Sequence, residues 1–208
     1  MDTARHYLLG RSGRSFILLL FLVVNPAMRP APIADKAQFE IHKGDDVVGR
    51  IVALRNGQGD RTTYLMTSYS EFQIIWKQTV RTTMVSEYAA GQLNNCHSNL
   101  WVNSALRDSS HMRTISSRYD CFVHPDRRFV HHASVEWTTA RMYFEEPIGV
   151  NEVFVESVLE NCRLMPLGEH RYRLFMPDAK VNDYVYRNGV LQEIGVDRKY
   201  VDLVFRRI

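Results

Sequence analysis

The sequence predicts a mainly β protein: a curled antiparallel sheet, half-barrel to barrel, of about ten strands with one short helix. Two observations predict it. Residues 72–88 alternate in character, with Phe72, Ile74, Trp76, Val80, Met84 and Tyr88 on one parity and Glu71, Lys77, Arg81 and Glu87 on the other. Turn signals also recur at short intervals along the chain, with little helical periodicity between them.

The alternation is that of a half-buried antiparallel strand, whose successive side chains point to opposite faces. Seventeen residues at about 3.3 Å each would reach roughly 56 Å, well beyond a usual strand. The segment must therefore coil strongly or break, and the apolar series lapses at Lys77-Gln78. Strong coiling suits a barrel or a curled sheet better than a flat sandwich.

The turns follow in order. Lys43-Gly44-Asp45, Asn56-Gly57-Gln58-Gly59-Asp60 and Ala89-Ala90-Gly91 each separate runs of strand character, as do Arg107-Asp108-Ser109-Ser110 and His124-Pro125-Asp126. Asn188-Gly189 lies between Tyr184-Val185-Tyr186 and Val190-Leu191, and Asn-Gly suits a type I′ hairpin turn because both central residues need positive φ. A helix is expected from residue 134 to 146, with a short strand as the competing reading: Trp137, Ala140, Arg141 and Phe144 fall at i, i+3, i+4 and i+7, Ser134 caps the start and Pro147 ends it.

The first 34 residues read as a signal peptide and short linker, leaving residues 35–208 as a single all-β domain. Arg5, Arg11 and Arg14 precede the apolar run Phe16-Ile-Leu-Leu-Leu-Phe-Leu-Val-Val24, which Asn25-Pro26 breaks. The run is too short to span a bilayer, which takes about 20 apolar residues, and suits an export leader. The expected location is periplasmic or secreted, with no stable membrane span once the leader is cleaved. This leader also carries the chain's basic excess. It holds four arginines and one aspartate of the 26 basic and 23 acidic residues, so the remainder is formally neutral. That balance gives no support for nucleic-acid binding.

Three cysteines, Cys96, Cys121 and Cys162, would meet an oxidising compartment. If residues 107–110 form one tight turn, Cys96 and Cys121 stand opposite each other in the hairpin, and a cross-strand disulfide is expected, with Cys162 free and buried.

No motif specifies a catalytic centre or a cofactor. A Gly-x-Ser-x-Gly elbow, a P-loop, a dinucleotide fingerprint and a His-Glu-x-x-His pair are absent. Cys121, His124, His131 and His132 are metal-capable types, but adjacent histidines diverge on a strand and the spacing fits no compact zinc motif. Glu145-Glu146 are paired only in sequence. The expectation is a non-enzymatic protein without cofactor or metal. Aromatic supply is the more informative feature. A curled sheet turns such residues into core or into the lining of an apolar cavity. The lining expected for an apolar or lipid-like ligand is Phe72, Ile74, Trp76, Met84, Tyr184 and Tyr186, with Trp137 and Phe144 on a covering helix. Two alternatives stand beside it: an envelope module that holds a protein partner by a sheet edge or surface patch, and a hydrolase or isomerase in which His124, His132 or Glu156 converge at the barrel mouth.

Several segments carry a family resemblance. They are Arg141-Met-Tyr-Phe-Glu-Glu-Pro147, Asn151-Glu-Val-Phe-Val-Glu156, Pro166-Leu-Gly-Glu-His-Arg-Tyr172, Asn182-Asp-Tyr-Val-Tyr-Arg-Asn-Gly-Val-Leu191 and Val201-Asp-Leu-Val-Phe205. Phe39-Glu-Ile41, Asp46-Val-Val-Gly49, Ser86-Glu-Tyr88 and Gly91-Gln-Leu93 extend the pattern. Together they resemble a family of small exported bacterial proteins known only as a domain of unknown function. The resemblance implies a curled antiparallel sheet with a short helix tucked against it, similar to the half-barrel of periplasmic lipoprotein carriers that shield acyl chains. It implies no catalytic residue; Phe144, Glu146, Pro147 and Glu156 lie on its motifs.

Overall fold

The computed structural model describes residues 33–73, 76–116, 118–197 and 201–208. The leader expectation falls almost entirely outside them, as does Ile74. The chain forms β1 (Ile33–Lys43), β2 (Asp46–Gln58), β3 (Arg61–Gln73), β4 (Lys77–Ala89), β5 (Gln92–Val102), β6 (Ala105–Ile115) and β7 (Arg118–Val123). It continues through β8 (Arg127–His131), β9 (Glu152–Val155), β10 (Glu160–Gly168), β11 (Arg171–Phe175), β12 (Val181–Arg187), β13 (Val190–Asp197) and β14 (Leu203–Arg207).

All fourteen strands belong to one antiparallel sheet, in the order β8-β7-β6-β5-β4-β3-β2-β1-β14-β13-β12-β11-β10-β9. Among the described residues each strand pairs with its sequence neighbour, except that β1 also takes β14 and no strand pairing joins β8 to β9. The sheet is therefore curled but not closed. Side chains span the seam instead: Arg127 donates to the Val158 carbonyl (2.9 Å) and to Glu160 (2.8 Å), and the His131 and Phe154 rings lie 5.5 Å apart.

The inner face follows from the period of two. On β4, Met84, Ser86 and Tyr88 are buried while Arg81 and Glu87 are exposed, the parity read from the sequence. Ala37, Phe39 and Ile41 of β1, Ile51 and Ala53 of β2, Tyr64 and Met66 of β3, and Leu191, Ile194 and Val196 of β13 complete that side of the core. The long segment does break, with β3 ending at Gln73 and β4 starting at Lys77, three residues earlier than the lapse at Lys77-Gln78 suggested.

Turns at 44–45, 59–60, 90–91, 124–126 and 188–189 lie where glycine, proline and asparagine placed them. Ala90 (φ 49°) with Gly91 (78°), and Asn188 (53°) with Gly189 (74°), take the positive angles of hairpin turns. Among the described residues fourteen strands stand in place of the expected ten, and three of the turns between them lie at positions not expected as turns. Asn103-Ser104, Glu169-His170 and Asp178-Ala179 also adopt positive φ, without a glycine in any of the pairs.

The first of these corrects two expectations. Residues 107–110 are not a turn but the interior of β6, and the β5–β6 hairpin closes at Asn103-Ser104. Cys96 then faces Met112, and Met112 faces Cys121. The two thiols are separated by a whole strand, roughly 9.5 Å at ordinary sheet spacing. That exceeds the reach of a disulfide, which fails beyond about 7 Å between Cα atoms. All three cysteines are free and buried; burial pushes the Cys121 and Cys162 thiols up to about 11 and raises Cys96 as well.

The helix expected over 134–146 shrinks to a single 3-10 turn, Arg141–Tyr143. Its backbone is engaged elsewhere. The Trp137 carbonyl accepts from Phe154 N (2.9 Å) and Thr139 N donates to the Phe154 carbonyl (3.2 Å), a parallel bridge onto β9 that withdraws both groups from helical bonding. Helical spacing in the sequence reflected a buried face, not a helix.

Candidate functional site

Strand direction alternates, so the turns at 44–45, 103–104, 124–126, 156–159 and 176–180 gather at one end of the curled sheet. Those at 59–60, 90–91, 169–170 and 188–189 gather at the other. Residues 132–151 cover this second end. Val135, Ala140, Met142 and Tyr143 are buried there against the sheet. Leu93 N donates to the Val135 carbonyl (2.8 Å), and Tyr186 Oη donates to the Met142 carbonyl (2.7 Å). Tyr143 meets Phe39 edge-on at 5.5 Å, and Phe144 lies 5.9 Å from Tyr64.

Three glutamates fasten this plug. Glu146 accepts from Tyr172 Oη (2.7 Å) and pairs with His170 (2.8 Å). Glu145 accepts from Tyr64 Oη (2.7 Å) and from Arg141 (2.7 Å), whose guanidinium also stacks on Trp137 at 4.2 Å. Glu156, in the turn after β9, is fully buried. Its carboxylate accepts from Ser86 Oγ on β4 (2.8 Å), from Ala140 N (3.0 Å), and from both Thr139 N (3.2 Å) and Thr139 Oγ1. Its carbonyl accepts from Ser110 Oγ on β6. One side chain thus ties the plug to the sheet's inner wall with every acceptor position used.

The Glu145 cluster gives a pH dependence. Burial acts to raise the Glu145 pKa, but hydrogen bonds from Tyr64 and Arg141 and the charges of Arg141 and Arg55 outweigh it and hold the carboxyl below its ordinary range. Burial lowers the pKa of His131 at the seam. Both depressed values mean that the unfolded chain binds more protons, so stability falls with acid. The His131 part is lost as pH drops below 6.5, and the Glu145 part as it drops below 4.5 and through the folded value. The melting temperature is expected to decline from pH 7 downward, first through His131 and then, below pH 4.5, through Glu145, with Glu145→Gln removing the part below pH 4.5. Equal slopes for the parent and Glu145→Gln below pH 4.5 would contradict the clamp.

Between the β9–β10 turn and the far end lies a cleft of about 300 Å³. It is lined by Thr82, Ser98, Leu100 and Asp108 from the inner face and by Val158 and Met176 opposite. Inner-face serines make this part of the interior polar: Ser70, Ser86, Ser98 and Ser110 are all buried. The apolar side is Leu100, Val158, Met176 and Pro177, with Lys180 at the rim.

Of the expected lining residues that are described, Met84, Tyr184 and Tyr186 belong to one core with Trp137 and Phe144 packed against it, while Phe72 and Trp76 stand apart from it. Met84, Tyr184 and Tyr186 are buried core, Met84 in contact with Thr139 Oγ1 through sulfur (3.6 Å). Trp137 and Phe144 sit half-buried on the plug, in place of the expected covering helix. Phe72 lies at the end of β3 with Lys43 over its ring (5.9 Å), and Trp76 is 69% exposed beyond it. His124 and His132 are exposed at opposite ends of β8 and do not approach Glu156. Among the described residues no three His, Cys, Asp or Glu side chains gather as a metal-holding group. The cleft residues were missed because Thr, Ser, Asp and Lys on a strand look like solvent-facing residues. The available signal was parity: Thr82 shares the face of Met84 and Tyr88.

Residues 39–208 match the family described as "Domain of unknown function (DUF6134)". No curated protein matches. Among solved structures, the chain is similar to a β-barrel-like protein of domain of unknown function DUF1849 from Brucella abortus. The two share 10% identity and a TM-score of 0.52, over 83% of this chain and 95% of that one. At that identity the likeness is one of fold alone.

Proposed function

Since the chain belongs to the DUF6134 family of unknown function, we propose, from its geometry, that it is an exported, non-catalytic binding module that holds a small amphipathic molecule in the cleft at its unplugged end. The observation that carries this reading is the asymmetry of the curled sheet. One end is filled by residues 132–151, while the other leads to a recess of about 300 Å³. That size is at the lower bound of ligand pockets, and mixed walls with a few convergent polar groups are their usual make-up. An apolar tail would lie along Leu100, Val158 and Met176, and a polar head would meet Thr82, Ser98 or Asp108. Export is supported by the leader-like composition of residues 1–34. With the plug filling one end, the recess leaves room for a small occupant.

Native mass spectrometry after incubation with decanoic acid and decanol tests the proposal. One retained molecule per chain is expected, and Leu100→Trp, which fills the cleft, should abolish retention while leaving the unfolding midpoint nearly unchanged. No retention, or equal retention by the variant, would rule the reading out.

A further inference from the structure

We propose that the outer face of the sheet carries a second site, formed by Tyr69, Arg81 and Trp101, that binds a carboxylate-bearing saccharide. This site is distinct from the cleft, since Tyr69, Arg81 and Trp101 have the parity of the outer face of β3–β5 and none of the three lines the cleft, although Thr82 borders both.

The three residues form one row across three strands. Tyr69 of β3 faces Arg81 of β4, and Arg81 faces Trp101 of β5. Two strand spacings set the aromatic residues roughly 9.5 Å apart, with the guanidinium between them. The Arg81 group lies 5.4 Å from the Tyr69 ring centre, and Tyr69 is 43% exposed. A groove of about 510 Å³ runs over this row, with Thr67, Thr83 and Ser104 contributing to its walls.

The groove is built, not incidental to a flat sheet. The β5–β6 turn is tied to the start of β4: Asn103 N donates to the Thr79 carbonyl (2.9 Å), and Asn103 Oδ1 accepts from Thr79 N (2.9 Å). Asn103 (φ 49°) and Ser104 (φ 66°) both take positive angles to do so, without glycine. The register also shifts beside Trp101, which pairs with Leu106 while Leu100 pairs with Asp108, so Arg107 is an extra residue. Bulges of this kind re-aim a neighbouring side chain and recur next to binding sites.

The chemistry selects the ligand. Flat aromatic faces accept the C–H faces of sugar rings, and the hydroxyls of Thr67, Thr83 and Ser104 match a polyol. Arg81 supplies a charged fork suited to a carboxylate. Lys77, on the same strand, is neutralised by Glu71 at 2.7 Å, whereas among the described residues no carboxylate lies within ion-pair distance of Arg81. A peptide strand is disfavoured because β3, β4 and β5 are paired on both sides and offer no backbone edge. A nucleic acid would call for several clustered cations, and the row has one.

The test is calorimetric titration of the purified protein, with tryptophan fluorescence as a second readout, against tetragalacturonate, its methyl ester and maltotetraose. Saturable binding of tetragalacturonate is expected. It should weaken roughly tenfold or more in Arg81→Gln and with the methyl ester, because each removes one half of a charge-assisted pair. Trp101→Ala should weaken both the acidic and the neutral saccharide, and Leu100→Trp in the inner cleft should leave binding intact. Absence of saturable binding, equal affinity for acid and ester, or an unchanged Arg81→Gln variant would each overturn the assignment.

Discussion

Replacing Glu156 by alanine is expected to lower the unfolding free energy by about 4 kcal/mol, the largest loss anticipated for any single polar side chain here. Four donors converge on the carboxylate: Ser86 Oγ, Ala140 N, Thr139 N and Thr139 Oγ1. Alanine would leave all four without their acceptor in a fully buried region. Each unsatisfied donor costs about 1–3 kcal/mol, reduced where the plug can relax, so a total near 4 kcal/mol is the central expectation. In a chain of this size that corresponds to a fall in melting temperature of roughly 8–16 °C. Glu156→Gln keeps the shape and one oxygen but aims an NH₂ at two donors, and should lose about half as much. Chemical denaturation with a two-state fit provides the measurement. A Glu156→Ala variant within 1 kcal/mol of the parent would show that the carboxylate is no latch.

Gly49→Ala should be comparably damaging, for a steric reason. A β-carbon at Gly49 would stand 2.3 Å from the Tyr69 carbonyl oxygen and 2.6 Å from Ser70 Cα on the paired strand. The obstacles are backbone, so no side-chain rotation relieves them, and β2 and β3 would have to separate. Overpacking of this severity is expected to cost about 3 kcal/mol or more. Gly195→Ala on β13 is the control, because its nearest contact would be an ordinary 3.7 Å to Asp183 Cβ. There the change should be neutral or slightly stabilising through the unfolded chain. Thermal melts of both variants decide the matter; equal melting temperatures would refute the close approach at Gly49.

The two variants also mark where sequence reasoning succeeds and where it stops. The architecture is legible in β4, where Met84, Ser86 and Tyr88 share a parity, because one wet and one dry face impose a period of two. Asn188-Gly189 is legible because its conformation is the default of its residues. Asn103-Ser104 is not, since nothing local requires positive φ there, and the bonds to Thr79 that hold it come from another hairpin. That single turn moved the register of β6 and placed a strand between Cys96 and Cys121. Glu156 closes an apolar run, Val153-Phe154-Val155, and in sequence it stands only as a polar residue that could converge on a barrel mouth. Its donors lie 16 to 70 residues away, so its role is visible only in three dimensions. The plug fails for a related reason. Helical spacing over 137–144 records which side chains are buried, while the bridge of Thr138 to Phe154 decides the backbone.

Everything proposed for the cleft depends on residues 132–151 filling one end of the curled sheet. Nuclear Overhauser contacts between aromatic rings test that placement most directly. Cross-peaks are predicted between Tyr143 and Phe39 and between Phe144 and Tyr64, whose ring centres lie 5.5 and 5.9 Å apart. If both pairs are silent while the β1–β2 and β3–β4 ladders give their expected backbone contacts, the segment lies elsewhere and the two ends of the sheet are not distinguished as described.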